Sequence, residues 1–220
     1  MRRVIVVGAG GHGQVVADAL LAARKNGSPQ EPIGFVDDDP ALVGSAVLGL
    51  PVLGTVYQIR RFEHEGVIVA VGDNQARRKL CELLRRGGTR LANVVHPSAV
   101  VGNDVQLGVG VLVCAGAVVG TGSRVGDGAI LNTGCTVDHH NTIGNYAHIA
   151  PGVHLGGEVR VGEGTLVGIG SAVIPGRTIG EWCIVGAGAV VSEDIPAHCT
   201  AVGVPARVIK RHRPDLATEV

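Results

Sequence analysis

Residues 155–190 read LGGEVR VGEGTL VGIGSA VIPGRT IGEWCI VGAGAV, six hexads that each open on Leu, Val or Ile. The same register runs without a break from Val101 to Val191, sixteen aliphatic positions in all. Gly follows the aliphatic in ten of them, and the residue two before it is usually small or β-branched, as at Ala117, Ser123, Ala129, Ala147, Ser171 and Ala189. A period of six with this grammar predicts a β-solenoid in which three hexads make one triangular coil of about 18 residues. Each side is then a short strand pairing with the coils above and below, with the aliphatic in the interior and glycine giving the corner its backbone freedom. An α-helix is excluded because a period of six does not keep one face of a 3.6-residue helix buried. Collagen is excluded because its glycine recurs every third residue.

Aromatic residues make up only 2% of the 220, and Gly numbers 35, which suits a core of stacked Val, Ile and Ala. Nineteen basic side chains balance nineteen acidic ones, so no overall field recruits nucleic acid or an anionic membrane. Cys81, Cys114, Cys135, Cys183 and Cys199 have neither zinc-ligand spacing nor the density of a disulfide framework, which points to the reduced cytoplasm. The N-terminal apolar run, Val4 to Val7, is too short for a signal peptide, and no stretch approaches the ~20 apolar residues of a membrane span.

The first part of the chain has a different rhythm, which divides it into residues 1–95 and 96–220. Val4–Val7 reads as a buried strand, Gly13–Lys25 as a helix, Pro32–Val36 and Val67–Val71 as further strands, and Asn74–Arg86 as a second helix. Leu91–Val95 is expected as a last strand before the solenoid. Alternating strands and helices build a small parallel sheet, a Rossmann-like α/β domain. Its first strand runs into Gly8-Ala9-Gly10-Gly11-His12-Gly13, a G-x-G-x-x-G turn that lets backbone N–H groups approach a phosphate. Asp37, Asp38 and Asp39 close the second strand, and Gly72 lies at the exit of the third, on the same carboxyl edge. Only one mononucleotide half fits before the repeats begin, so a nucleoside diphosphate is a better match than a dinucleotide.

Chemistry concentrates where the repeat departs from Val, Gly, Ala and Thr. Four of the nine histidines, His139, His140, His148 and His154, fall in the single coil 137–154. Residues 18 apart stack along the prism, which puts His139 between Thr121 and Gly157. A glycine above an imidazole leaves open space and a main-chain N–H beside a base. Acyl transfer from a thioester needs that pair: a group that takes the nucleophile's proton and a donor for the oxyanion. Asp138 or His140 could orient the ring. Metal binding by the cluster is the rival reading, although its spacings are not those of a compact zinc site.

The phosphate turn, the stretch DHHNTIGNYAHIAPG at 138–152 and the closing AVGVPARVIK at 201–210 together resemble the bacterial nucleotide-sugar N-acetyltransferases and the related sialic-acid O-acetyltransferases. The resemblance runs from Val4 to about Lys210. It implies a left-handed parallel β-helix, a homotrimer, acetyl-CoA in the groove between neighbouring helices, and a nucleotide-linked amino sugar held by the N-terminal domain. It assigns the general base to His139, with Asp138 orienting it, and the oxyanion donor to the backbone of Gly157. It places His148, Ile169 and Ala187 against acetyl-CoA and gives Gly10, Gly11, His12, Asp37, Asp38 and Gly72 to the nucleotide. The family often has an acid directly after the catalytic histidine; here that place holds His140. The expected activity is acetylation of the amine of a UDP-linked 4-amino sugar for surface glycans, with no metal. A sialic-acid-type O-acetyltransferase and a non-catalytic nucleotide-sugar or metal-binding scaffold are the alternatives.

Overall fold

The computed structural model describes residues 1–213, which divide into two compact units, the second beginning at Ser98. In the first unit, strands β1 (Arg2–Val7), β2 (Gln30–Val36), β3 (Ala46–Val47), β4 (Leu50–Gly54) and β5 (Gly66–Val69) form one sheet in the order β3-β4-β2-β1-β5. All its pairings are parallel except the β3–β4 hairpin. The fully buried run Val4–Val7 suits β1 to an interior place in the sheet, between β2 and β5. Helices α1 (Gly11–Lys25) and α2 (Asn74–Arg86) follow β1 and β5. The expected strands and helices are present with shifted ends, the third strand stopping at Val69 and the last reduced to Val94–Val95.

The hairpin β3–β4 and a 3-10 helix at Val56–Arg61 went unread in the sequence. The hairpin turns on Leu48 and Gly49, with φ of 51° and 74°. A turn with positive φ at both central residues ordinarily advertises itself with Asn or Asp at the first, and leucine hides it.

The second unit is a left-handed parallel β-helix of two-residue strands, each pairing with the strands 18 residues before and after it, as Thr136 pairs with Val118 and His154. The interior aliphatics from Val119 to Val191 are buried. Positive φ recurs every six residues, but three places after the aliphatic and not directly after it: Gly116, Gly122, Gly128, Gly134, His140, Tyr146 and Gly152 are successive examples. This corrects the expectation that the glycine following the aliphatic serves corner freedom. That glycine is needed for a different reason, because the neighbouring coil's backbone crowds it. A Cβ on Gly120 would lie 2.7 Å from the carbonyl carbon of Asp138, and one on Gly144 2.5 Å from the nitrogen of Glu163. In the histidine-rich coil this left-handed place is held by His140, Tyr146 and Gly152.

The three outer faces differ. One carries Val100, Val118, Thr136, His154, Ala172 and Val190; the next Gln106, Arg124, Thr142, Arg160 and Thr178; the third includes His148, Leu166 and Ile184. Two faces are thus largely apolar and one polar. A hairpin of Cys199–Val202 and Arg207–Arg211 closes the C-terminal end. All five cysteines are buried thiols. No helix among the described residues is long and apolar enough to cross a membrane.

Candidate active site

His139 leaves the first face at the corner after Val137, and its ring lies against the Cα of Gly157 in the next coil. A Cβ built on Gly157 would fall 2.5 Å from the His139 Nε2. Among the described residues no hydrogen bond takes up the Gly157 N–H. The stacking expected from the 18-residue phase is present, with Nε2 the nitrogen that faces the glycine.

Asp138 is placed differently from the expectation that it orients the ring. Its Oδ1 accepts the main-chain N–H of His139 at 2.8 Å. A carboxylate one residue before that N–H folds back onto it readily, and this commits Oδ1 to the bend. The ring's own partner is His140, Nδ1 to Nδ1 at 3.1 Å, with the rings edge-on at 74°. The His140 ring covers Gly122 in the preceding coil, where a Cβ would meet its Cδ2 at 2.8 Å.

Behind this bend sits a buried polar spine that sequence reading did not single out. Asn141 is 1% exposed; its Nδ2 donates to the carbonyls of Asp138 at 2.6 Å and Gly156 at 3.0 Å, and its Oδ1 accepts from Val159 N at 3.0 Å. Ser123 Oγ donates to the same Asp138 carbonyl at 2.9 Å and accepts from Asn141 N at 3.1 Å. The available signal was an amide in the slot two before the aliphatic, where the repeat otherwise prefers small or β-branched residues. Asn141 ties the turn carrying His139 to the turn carrying Gly157. Asn141→Ala would strand the Gly156 carbonyl and the Val159 N–H in the interior, and is expected to cost roughly 2–4 kcal/mol. Urea unfolding checks this; an unchanged midpoint would remove Asn141 from the account.

His148 projects from the third face, with its Nε2 3.0 Å from Asn132 Nδ2. Ile169, 61% exposed, and Ala187, also exposed, stack 18 residues apart on the turn that follows this face. His139 stands on the turn after the first face, so one chain carries the acetyl-CoA candidates and the candidate base on different edges of its prism. His154 bonds Thr136 Oγ1 at 2.8 Å on the first face. Among the described residues no three His, Cys, Asp or Glu side chains come together to hold a metal ion.

In the first unit the glycines of the phosphate turn separate into two kinds. Gly8 has φ of +103° and its Cβ would lie 2.9 Å from the Ala70 carbonyl oxygen, while a Cβ on Gly13 would collide with the Gly8 carbonyl oxygen. Gly10 and Gly11 face open space. They head α1, whose N-cap is Gly10 with no side-chain cap, the kind of helix start that suits an anion. Asp37 accepts from Ala9 N at 2.7 Å and Asp39 N at 2.9 Å, tying the ends of β1 and β2 together. Asp38 accepts from Val56 N at 2.9 Å. Both carboxylates thus have a structural duty at the sheet edge where a nucleotide was expected. Gly72 is exposed at that edge, and beneath it Arg77, 1% exposed, donates to the carbonyl of Val71 at 3.0 Å and to Asn74 Oδ1 at 2.7 Å. Nothing in the helical pattern of α2 distinguished this buried guanidinium from its exposed neighbours.

Burial, and then the charge of Arg77, hold His12 below its ordinary pKa of 6.5. The unfolded chain therefore binds a proton that the folded one refuses. This stability term is complete above about pH 6.5 and is lost as pH falls through that value toward the lowered one. His12→Asn should shrink the fall in Tm between pH 7 and pH 5, read by differential scanning calorimetry. An identical fall in both proteins would contradict it.

Comparison with known proteins defines the class first. Residues 3–84 match the PglD N-terminal domain family, and residues 158–193 match the bacterial transferase hexapeptide family, six repeats. PerB from Caulobacter crescentus, crystallised with CoA and GDP-perosamine, is 43% identical, with 94% of this chain and 97% of that one covered and a TM-score of 0.86. Further structures of that GDP-perosamine N-acetyltransferase carry Ala or Asn in place of one histidine. The acetyltransferase domain of PglB from Neisseria gonorrhoeae, in complex with acetyl coenzyme A, is 38% identical over 94% of this chain and 99% of that one, with a TM-score of 0.87. The UDP-N-acetylbacillosamine N-acetyltransferase of Bacillus subtilis is 37% identical over 117 residues, 52% of each chain. Against putative acetyltransferases of Staphylococcus aureus the match spans about a quarter of their length, 24%, at 52% identity. The chain belongs to the family of hexapeptide-repeat sugar acetyltransferases that includes PerB and the acetyltransferase domain of PglB.

Proposed function

We propose that this chain transfers the acetyl group of acetyl-CoA to the amine of an amino sugar carried on a nucleoside diphosphate. The observation that carries the reading is the His139 ring seated against Gly157, a residue whose main-chain N–H no described residue engages. The similarity to PerB along nearly the whole chain supports the substrate class.

The acceptor amine's lone pair attacks the thioester carbonyl while His139 Nε2 takes an N–H proton. The Gly157 N–H donates to the oxyanion of the tetrahedral intermediate. The C–S bond then breaks, and the proton held on His139 passes to the departing CoA thiolate. Gly10, Gly11 and the α1 N-terminus receive the diphosphate, with Asp37 and Asp38 shaping the edge and Gly72 leaving it open. His148, Ile169 and Ala187 receive acetyl-CoA.

Because these three residues and His139 occupy different edges of one prism, a complete site needs a second copy. A trimer that packs the two apolar faces inward and leaves the Arg124 and Arg160 face in solvent supplies it. The reaction would belong to surface-glycan synthesis in the cytoplasm. The family resemblance implies a UDP-linked 4-amino sugar, whereas PerB holds a GDP-linked one. Thiol release from acetyl-CoA with a panel of UDP- and GDP-linked amino sugars tests the reading: release dependent on one of them is expected, and release only with free sialic acids would overturn it.

A further inference from the structure

A hydrogen bond between two ring nitrogens holds a single proton, and the His139–His140 contact is Nδ1 to Nδ1 at 3.1 Å. If His140 donates, His139 carries its own proton on Nε2 and cannot act as a base toward Gly157. If His139 donates, its Nε2 is the bare nitrogen and His140 keeps its proton on Nε2, over Gly122. The left-handed φ of +56° at His140 splays the two rings onto glycines of opposite neighbouring coils while keeping their Nδ1 atoms in contact.

We propose that His140 is a positioning residue for His139: its neutral Nδ1 accepts the His139 Nδ1 proton and fixes the tautomer whose Nε2 is the base. The proposal rests on the acetyl-transfer reading. When the amine's proton arrives on Nε2, His139 becomes an imidazolium that still donates from Nδ1 to His140, and no second proton moves. A neutral acceptor orients the ring as a carboxylate would, but without the carboxylate's attraction for the imidazolium. The base therefore returns its proton to the thiolate more readily. One proton bound by either ring ends activity, because a protonated His140 has no Nδ1 lone pair to offer.

Other charged or titratable groups surround the pair. Asp138 lies on the same turn; Glu158, whose N–H donates to the His139 carbonyl at 2.9 Å, is on the turn of the next coil; and Asp104 is two coils before His140. Arg124 and Arg160 lie on the polar face, and His154 on the strand before Gly157. All are common to wild type and variants, so a comparison isolates His140.

Two substitutions test it across pH 5–9. His140→Gly suits the left-handed backbone, so its fold should hold in a thermal melt, yet kcat should fall about 10-fold or more with KM little changed. His140→Glu has a precedent in Glu158, which holds φ of +61° at the equivalent corner. Its carboxylate should restore kcat on the alkaline plateau and move the acid limb up by about one pH unit, since a neighbouring anion favours the imidazolium. Wild-type kcat in His140→Gly, or an unmoved acid limb in His140→Glu, overturns the proposal. Should wild type acetylate no amino sugar, the transfer reading fails separately. The Cε1–H resonance of His139 then decides: a midpoint raised by about one pH unit in His140→Glu sustains the coupling, and an unchanged midpoint overturns it.

Discussion

His139→Asn should lower kcat by roughly 10²–10⁴ while leaving the affinities for acetyl-CoA and for the nucleotide sugar near wild type. The amide fills much of the imidazole's space over Gly157 but cannot take a proton near neutral pH. The nucleotide candidates Gly10, Gly11 and Asp37 lie in the first unit, and His148, Ile169 and Ala187 lie on the third face of the solenoid and the turn after it, not on the turn that carries His139. Binding should therefore survive the loss of the base. His139 is exposed, so the substitution should also leave Tm unmoved. Steady-state kinetics with isothermal titration of CoA checks the expectation. Turnover unchanged in the variant would remove His139 from the chemistry.

Gly157→Ala separates position from folding. The glycine's backbone is not left-handed, so alanine can adopt it, but the new methyl would stand 2.5 Å from the His139 Nε2. An exposed ring relieves that overlap by swinging outward, which costs little stability but takes the base off its axis and shields the N–H beneath it. A displacement of about 1 Å in a reacting group can cost on the order of 100-fold in rate, and turnover should fall by at least that much. Kinetics and a thermal melt on the same sample check it. A variant that keeps wild-type turnover would contradict the role given to this glycine, whatever its Tm.

The solenoid was legible because one physical demand, an aliphatic in a closed prism, repeats every six residues from Val101 to Val191. The contact between His139 and Gly157 followed from the same count, since strands 18 residues apart pair directly. What the count did not convey was which atoms use which residue. Glycine after the aliphatic and glycine at the corner look alike in sequence, yet one avoids the neighbouring coil's backbone and the other supplies positive φ. Nor did the count convey which neighbour bonds the His139 ring: Asp138 accepts a main-chain N–H, and the ring's bond goes to His140.

Asn141 illustrates the same limit. Its slot identified it as unusual, but its four-way bonding between two coils depends on carbonyls at Asp138 and Gly156, whose direction no spacing encodes. In the first unit the turn Gly8–Gly13 was legible as a motif. Arg77 was not, because a buried guanidinium held by main-chain carbonyls shares the local sequence of an ordinary basic helix.

The reading stands most directly on the bond that is formed. With acetyl-CoA labelled with ¹³C in its carbonyl and an accepted nucleotide-linked amino sugar labelled with ¹⁵N in its amine, one spectrum of the product decides it. A ¹³C signal split by directly bonded ¹⁵N, absent when His139→Asn replaces wild type, is the result expected. A ¹³C signal without that splitting, from an acetyl ester on a sugar hydroxyl, would contradict it.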